Sequence, residues 1–333
     1  MKLTWQPITL DLRTTFRIAH GASDQRFNVI TRVDEGLGEA AAVAYYGETQ
    51  TGIMDYLAQV ADLLGDDPFQ IESILARLPA GSLAARASID LALHDLVGKR
   101  LGQPLYRILG LNPAHLPLTS FTIAIDEPTK MAELARQADY PVIKIKLGSP
   151  QDEAIVAAIR QATSAVLRVD ANAGWSREQA LEHITRLVEY EIELVEQPLP
   201  VGDVDGFRWL RQELRARRIQ VPIFADESVK SAREIAAHAG AVDGVVIKLM
   251  KSGGIRGALR AIHTARALDM QVMLGCMVET SLGVTAAAHL ASLCDYLDLD
   301  GPLLIRNDPF QGVRYQGAQL SLPDLPGLGV TAR

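Results

Sequence analysis

The chain has 333 residues, 48% of them hydrophobic and 22% charged, with a formal net charge of −7. That length supports a large core or two domains sharing an interface, and Lys and Arg are scattered with no basic stripe, which sets nucleic acid aside as a partner. No stretch approaches the ~20 apolar residues of a membrane span, the opening MKLTWQPITLDLR lacks the pattern of a signal peptide, and Cys276 and Cys294 fit neither a disulfide framework nor zinc spacing, so a soluble cytoplasmic protein is expected.

TWQPITLDL and FNVITRV read as strands separated by a polar, Gly-containing stretch, FRIAHGASDQR; GLGEAAAVAYYGET reads as strand and loop. Helical segments are expected over 52–64, 67–78 and 80–101, the last with Ile89, Leu93 and Leu96 near a helical period. Gly102, Pro104 and Gly110 close this α+β block of two or three strands and three helices. From Leu118 short apolar runs recur: SFTIAI, VIKIKL, VLRVDA, IELVEQ, VPIFADE, GVVIKLM, VMLGCM and YLDLDG. All but the last are followed by a helical stretch, which predicts parallel strands and an α/β barrel of the (β/α)7β type, a modified TIM barrel. A doubly wound open sheet is the rival, but no Gly-rich fingerprint follows a strand; Gly253-Gly254 is a weak anion signal.

Lys144 and Lys146 stand two apart in VIKIKLG, so a strand points both to one side. The following strands end in Asp170, Glu196, Asp226 and Lys248, and the eighth in Asp298 and Asp300. Each acid alone could be a helix N-cap, but chemistry in such barrels sits at the carboxyl-terminal mouth of the strands, where these groups converge. Three carboxylates without His or Cys suit Mg²⁺ rather than zinc. A carboxylate substrate on Mg²⁺ can lose its α-proton as an enediolate forms. A second ammonium ~4 Å away costs about 4 kcal/mol at moderate dielectric, which is roughly three pKa units, so Lys144 is expected to tune Lys146 as a base. Lys248, four strands further round, approaches from the opposite side, as a racemase or epimerase requires.

Together these residues resemble the enolase superfamily, muconate lactonising subgroup. The motifs are ARASIDLALHDLVGKRLGQPLYRILG (85–110), KIK (144–146), VDAN (169–172), EQP (196–198), ADES (225–228) and IKLMKSGG (247–254). The resemblance implies an α+β capping domain over residues 1–117, completed by about 319–333, and a barrel domain over 118–318. GCMVET (275–280) and DLDG (298–301) are similar to the dipeptide epimerases, L-Ala-D/L-Glu epimerases among them. This implies a dipeptide substrate whose ammonium is held by Asp298 and Asp300, with Mg²⁺ on Asp170, Glu196 and Asp226. The reaction implied is 1,1-proton transfer by Lys146 and Lys248 at the carboxyl-terminal residue of an L-Ala-Xaa-type dipeptide. A lyase or cycloisomerase such as o-succinylbenzoate synthase, and a noncatalytic metal- or peptide-binding protein, are the alternatives. The capping loop, near residues 16–27, is expected to close over the site. Gly21 falls where Ala-Glu epimerases carry an Arg, so the second residue is left open, with Arg17, His20 and Arg26 nearby. A homo-oligomer also stays open as a partner.

Overall fold

The computed structural model describes residues 1–333. It begins with an antiparallel sheet in the order β1 (Leu3–Ile18), β2 (Gly21–Val33), β3 (Gly36–Ala40). FRIAHGASDQR is not a loop between strands but the end of the β1–β2 hairpin, with Phe16 opposite Ser23, Arg17 opposite Ala22 and Ile18 opposite Gly21. The register shifts between Asp11 and Phe16, and such a bulge re-aims the outer ribbon. The stretch is polar because this part of the hairpin leaves its own sheet, so it lacks the alternating apolar face that marks a strand in sequence.

Helices α1 (Gln50–Val60), α2 (Ile71–Arg77) and α3 (Leu83–Leu101) correspond to the three expected segments, α1 starting and ending earlier than expected and α2 and α3 starting later. Their ends follow capping chemistry: Thr49 Oγ1 accepts from Gly52 N, Ser82 Oγ accepts from Ala85 N, and Gly102 in the left-handed region stops α3. A fourth short helix, α4 (Leu105–Ile108), was not expected; it starts directly after Pro104. β3 lies hard against α3. A Cβ at Gly36 would strike Ala92 O and one at Gly38 would strike Ser88 O, so the GLG of this strand is what lets sheet and helix touch.

The barrel follows as β4 (Phe121–Ile123), α5 (Pro128–Ala138), β5 (Val142–Lys146), α6 (Asp152–Ala162), β6 (Val166–Asp170), α7 (Arg177–Leu187), β7 (Ile192–Glu196), α8 (Val204–Ala216), β8 (Ile223–Ala225) and α9 (Ala232–Ala237). It continues through β9 (Gly244–Lys248), α10 (Leu249–Ser252), α11 (Ile255–Ala267), β10 (Gln271–Gly275), α12 (Ser281–Ala288) and β11 (Tyr296–Asp298). All pairings are parallel in sequence order, and a bridge from Thr119 to Leu297 joins the two edges. No α-helix follows β11; a 3₁₀ turn over Gly301–Leu304 does. No helix is long and apolar enough to cross a membrane.

Inward positions alternate along the strands. Leu194, Phe224, Val246 and Met273 form one apolar layer across the barrel. Two residues further along the same strands come Glu196, Asp226, Lys248 and Gly275, so the packed layer is the floor on which the charged one stands.

The chain end returns to the capping elements. Leu105 N donates to Gly327 O and Leu328 N to Asp95 Oδ1, and His289 joins both parts by accepting from Tyr106 N (3.1 Å) and lying 3.2 Å from Leu328 O. These contacts tie residues 327 and 328 to the capping helices, in keeping with a cap that we propose spans 1–117 and is completed by about 319–333, with the barrel over 118–318. Burial pushes the His289 imidazole down to about 4. The unfolded chain, with an ordinary His near 6.5, then binds the extra proton. This stability is complete above about pH 6.5 and is lost as pH falls towards 4, a contribution of about 3 kcal/mol. Urea titrations of the wild type should therefore lose more stability between pH 6.5 and 4.5 than those of His289→Gln. Parallel pH curves would contradict this assignment.

Candidate active site

The register explains why the charged residues meet. Lys146 pairs with Asp170 and Asp170 with Glu196 along β5–β6–β7, while Gly275 pairs with both Lys248 and Asp298 along β9–β10–β11. Side chains at one register level of a barrel face the same interior. Gly275 keeps its level open: a Cβ there would stand 3.0 Å from Lys248 Cε, so the absent side chain makes room for the lysine stem.

All eight expected site residues are buried, and Lys144, Lys146, Lys248, Asp298 and Asp300 line one cleft enclosing about 750 Å³, open solvent included. Lys144 Nζ stands 3.0 Å from Asp170 Oδ2, 2.8 Å from Glu196 Oε2 and 2.8 Å from Asp298 Oδ2. Lys146 Nζ donates to the same Asp170 oxygen at 2.6 Å. The two ammonium groups therefore lie within about 6 Å of each other, the range over which one charge shifts another. Across the barrel, Lys248 Nζ donates to Asp226 Oδ2 at 2.8 Å.

Burial disfavours the charge on Lys144, but Asp298, Glu196 and Asp170 outweigh it and hold the ammonium well above the ordinary lysine value. Lys248 behaves likewise, burial opposing and Asp226 prevailing. Burial opposes the Asp170 charge too, yet Lys146 and Lys144 bring it below the usual carboxylate range, and Lys248 and Lys251 do the same for Asp226. Glu196 goes the other way: burial and the Asp170 charge raise it despite Lys144.

Asp298 and Asp300 differ. Asp298 is engaged by Lys144 and by Ser120 Oγ, which donates at 2.6 Å, whereas Asp300 accepts from Thr122 N at 2.6 Å. Burial, then the neighbouring Asp298, pushes Asp300 up to about 7. A cation arriving in the cleft has more to gain at Asp300, which has no ion-pair partner, than at Asp298, which Lys144 already engages.

The sequence reading missed several groups. Lys251 is fully buried and donates to Asp226 Oδ1 and to Asp226 O, the latter at 2.6 Å; its one signal is the i+3 spacing from Lys248. Gln197, at φ 37°, accepts from Asp226 N at 2.8 Å and Ser228 N at 3.2 Å, so the Gln of EQP braces the next strand end. Asn172 Nδ2 donates to Glu227 Oε1 at 3.0 Å.

No three His, Cys, Asp or Glu side chains gather on one point, because each acid turns towards an ammonium. The donor chemistry nonetheless fits a hard divalent cation. Lys144, Lys146, Lys248 and Lys251 all press on these acids, the mark of a site that concentrates negative charge. Beside them Asn172 Oδ1 and Glu227 Oε2 are buried without a hydrogen-bond partner. Asp170, Glu196 and Asp226 have the oxygen donors that could hold such a cation.

The hairpin end closes one side of the cleft. His20 Nε2 lies 2.6 Å from Asn172 O, its ring stacks on Tyr45 at 4.9 Å, and Ile125 N donates to Arg17 O at 2.9 Å. The expected capping loop is therefore a β-ribbon docked on the loops after β4 and β6.

Residues 6–110 match the N-terminal domain of mandelate racemase and muconate lactonizing enzyme, and residues 129–333 match the enolase C-terminal domain-like family. The chain belongs to the enolase superfamily. It is 41% identical to an L-Ala-D/L-Glu epimerase of Bacteroides thetaiotaomicron, over 99% of this chain and 88% of that one. A dipeptide epimerase from Cytophaga hutchinsonii, solved with Mg and D-Ala-L-Val, superposes with a TM-score of 0.93 at 31% identity, covering 100% of this chain and 96% of that one. One from Enterococcus faecalis, solved with Mg and L-Leu-L-Tyr, gives 0.92 at 34%, covering 99% of each. Enolase-superfamily membership agrees with the barrel and cap described above, and the relatives differ in the side chains their names and ligands carry.

Proposed function

We propose that this enolase-superfamily chain is a Mg²⁺-dependent dipeptide epimerase, transferring a proton at the α-carbon of the carboxyl-terminal residue of an L-Ala-Xaa-type dipeptide. One observation carries the reading: Lys146 on β5 and Lys248 on β9, four strands apart in an eight-stranded ring, open into one cleft with the acidic groups between them. A planar carbon placed there has an amine on each face. The relatives solved with Mg and a dipeptide support the same reaction class.

In this reading Asp170, Glu196 and Asp226 would hold Mg²⁺, which would supply positive charge for the substrate carboxylate. Lys146 removes the α-proton from one face and Lys248, as its ammonium, delivers a proton to the other; the reverse reaction exchanges the roles. Lys144 keeps its positive charge within about 6 Å of Lys146. Asp300, with Asp298 behind it, orients the dipeptide ammonium. Val43, Tyr45 and the ribbon residues Phe16 and Ile18 cover the cleft and exclude water from the reacting carbon.

The test is a dipeptide panel in deuterated water, read by mass spectrometry. The expected result is gain of one deuterium with formation of the other epimer, abolished by chelator and restored by Mg²⁺. Loss of water from a substrate would instead mark a lyase. Absence of solvent exchange on every dipeptide, with Mg²⁺ present, would overturn the reading.

A further inference from the structure

Two buried carboxyl groups that the proposed chemistry leaves unused meet where the N-terminal sheet rests on the barrel. Glu39 lies on β3 and Glu279 follows β10, and both are almost wholly buried. Neither forms an ion pair; the cation that offsets the Glu279 charge is the more distant Lys248. Gly283 on α12 makes the room: a Cβ there would strike Glu279 Oε2 and stand 3.1 Å from Glu39 Oε2, so the two carboxyl groups face each other across it. Their surroundings differ. Glu39 accepts from Asn28 Nδ2 at 2.9 Å, Thr280 N at 3.0 Å, Thr280 Oγ1 at 2.6 Å and Gly283 N at 3.0 Å. Glu279 accepts once, from Met277 N at 2.7 Å. Of two like acids in one buried space, the one richer in donors keeps its charge and the other keeps a proton. Burial raises Glu39, but its donors oppose the shift, whereas burial and then Glu39 push Glu279 up to about 8. Asn28 supplies an independent sign: its Oδ1, on the amide that serves Glu39, is buried without a partner. The space is short of a donor, and a proton on Glu279 Oε2 provides one.

We propose that Glu279 is a positioning residue that works as a neutral carboxylic acid: its proton bridges to Glu39, and the bridge clamps the cleft wall Cys276–Val278 to the N-terminal sheet. The kinetic part of this rests on the epimerase reading above. Cys276, Met277 and Val278 all line the cleft. Each step of the segment behind them is tied down: Met277 N by Glu279, Val278 O by Asn28 Nδ2 at 3.1 Å, and Thr280 by Glu39. The same segment rests on Gly301, directly after Asp300, where a Cβ would stand 3.0 Å from Met277 O and 3.1 Å from Glu279 N. With both acids charged, repulsion across Gly283 opens the bridge and the wall loses its register against β3. The titratable or charged groups that face Glu279 are Glu39 from β3, Lys248 from β9, Asp300 beside Gly301 and the Cys276 thiol on its own segment. At the start of α12 the nearest is Asp308, already occupied by Ser281 N and Oγ.

The experiment compares the wild type with Glu279→Gln and Glu279→Leu. Glutamine keeps an acceptor for Met277 N and a donor for Glu39, as the neutral acid does; leucine keeps neither. With Mg²⁺ and the dipeptide of the panel that exchanges fastest, kcat/KM at pH 7 should drop about tenfold in Glu279→Leu, chiefly through KM, and be restored in Glu279→Gln. The ratio of wild type to Glu279→Gln should then fall about tenfold from pH 7 to pH 9, as the wild type loses its proton and the amide cannot. Ionisation of the lysines and of Asp300 is common to both proteins and cancels in that ratio. Urea titrations without substrate read the proton directly. The folded chain holds it where the unfolded chain, with an ordinary Glu near 4.3, has released it, so wild-type stability falls as pH rises from about 4.3 to about 8 and levels off above. Glu279→Gln should lack this fall. A constant kinetic ratio, or a loss in Glu279→Gln as deep as in Glu279→Leu, would overturn the positioning role, and parallel stability curves would overturn the proton on Glu279. If no dipeptide exchanges with solvent, the epimerase reading fails, and the stability curves still decide whether Glu279 holds the proton.

Discussion

Lys146→Ala and Lys248→Ala are each expected to lower epimerisation by about 10²–10⁴-fold, the usual contribution of a positioned acid or base. Epimerisation needs both faces of the carbon, so either loss stops it. Exchange with solvent needs one face only. Each single variant should therefore keep deuterium uptake on the epimer whose hydrogen faces the surviving lysine, and lose it on the other. The double variant should lose both, by less than the product of the single losses, because residues that act as a unit are not additive. The geometry gives this prediction its sign: Lys146 contacts Asp170 on one side of the ring and Lys248 contacts Asp226 on the other. If both single variants kept exchange on the same epimer, the two lysines would not stand on opposite faces.

The barrel was legible because its strands are buried on both sides and read as short apolar runs, and because a charged residue closing such a run stands out, as Asp170 does after VLRV and Lys248 after GVVI. The family motifs were legible for the same reason: each sits at a strand end where one residue type satisfies the local geometry. Gln197 shows this, its carbonyl oxygen capping the two amides of the next strand end. What escaped was everything set by distant packing. The docking of the ribbon through backbone contacts, such as Ile125 N to Arg17 O, had no signal in the side chains. The hairpin end carries no apolar alternation, so its strand character comes from cross-strand pairing and from His20 and Arg17 anchoring it to the barrel loops. Lys251 lies in a one-turn helix, too short for any periodicity to show which way its side chain points. Lys144 was read as a tuner of Lys146, but three acids around it, contributed by β6, β7 and β11, make it equally the central counter-charge of the site.

Lys144→Met is accordingly expected to destabilise the folded protein by about 3–5 kcal/mol, since removing one partner of a buried ion pair leaves uncompensated charge behind. Methionine matches the stem of the lysine, so packing is nearly kept and the loss is mainly electrostatic. The pH dependence follows from Asp170 and Asp298, whose carboxyls are held below the usual range, burial opposing and lysine charges prevailing. A depressed carboxylate contributes stability above its ordinary value and loses it as pH falls through the lowered one. The gap between wild type and variant is therefore widest near neutral pH and narrows below about pH 4. Glu196, raised rather than lowered, offsets part of this. Mg²⁺ should stabilise the variant more than the wild type, because the ion then supplies charge that Lys144 no longer does, and ligand binding adds to folding stability by mass action. Urea denaturation at pH 7 and pH 4, each with and without Mg²⁺, reads all of these effects. Equal Mg²⁺ increments in the two proteins would mean that Lys144 and the ion do not serve the same carboxylates.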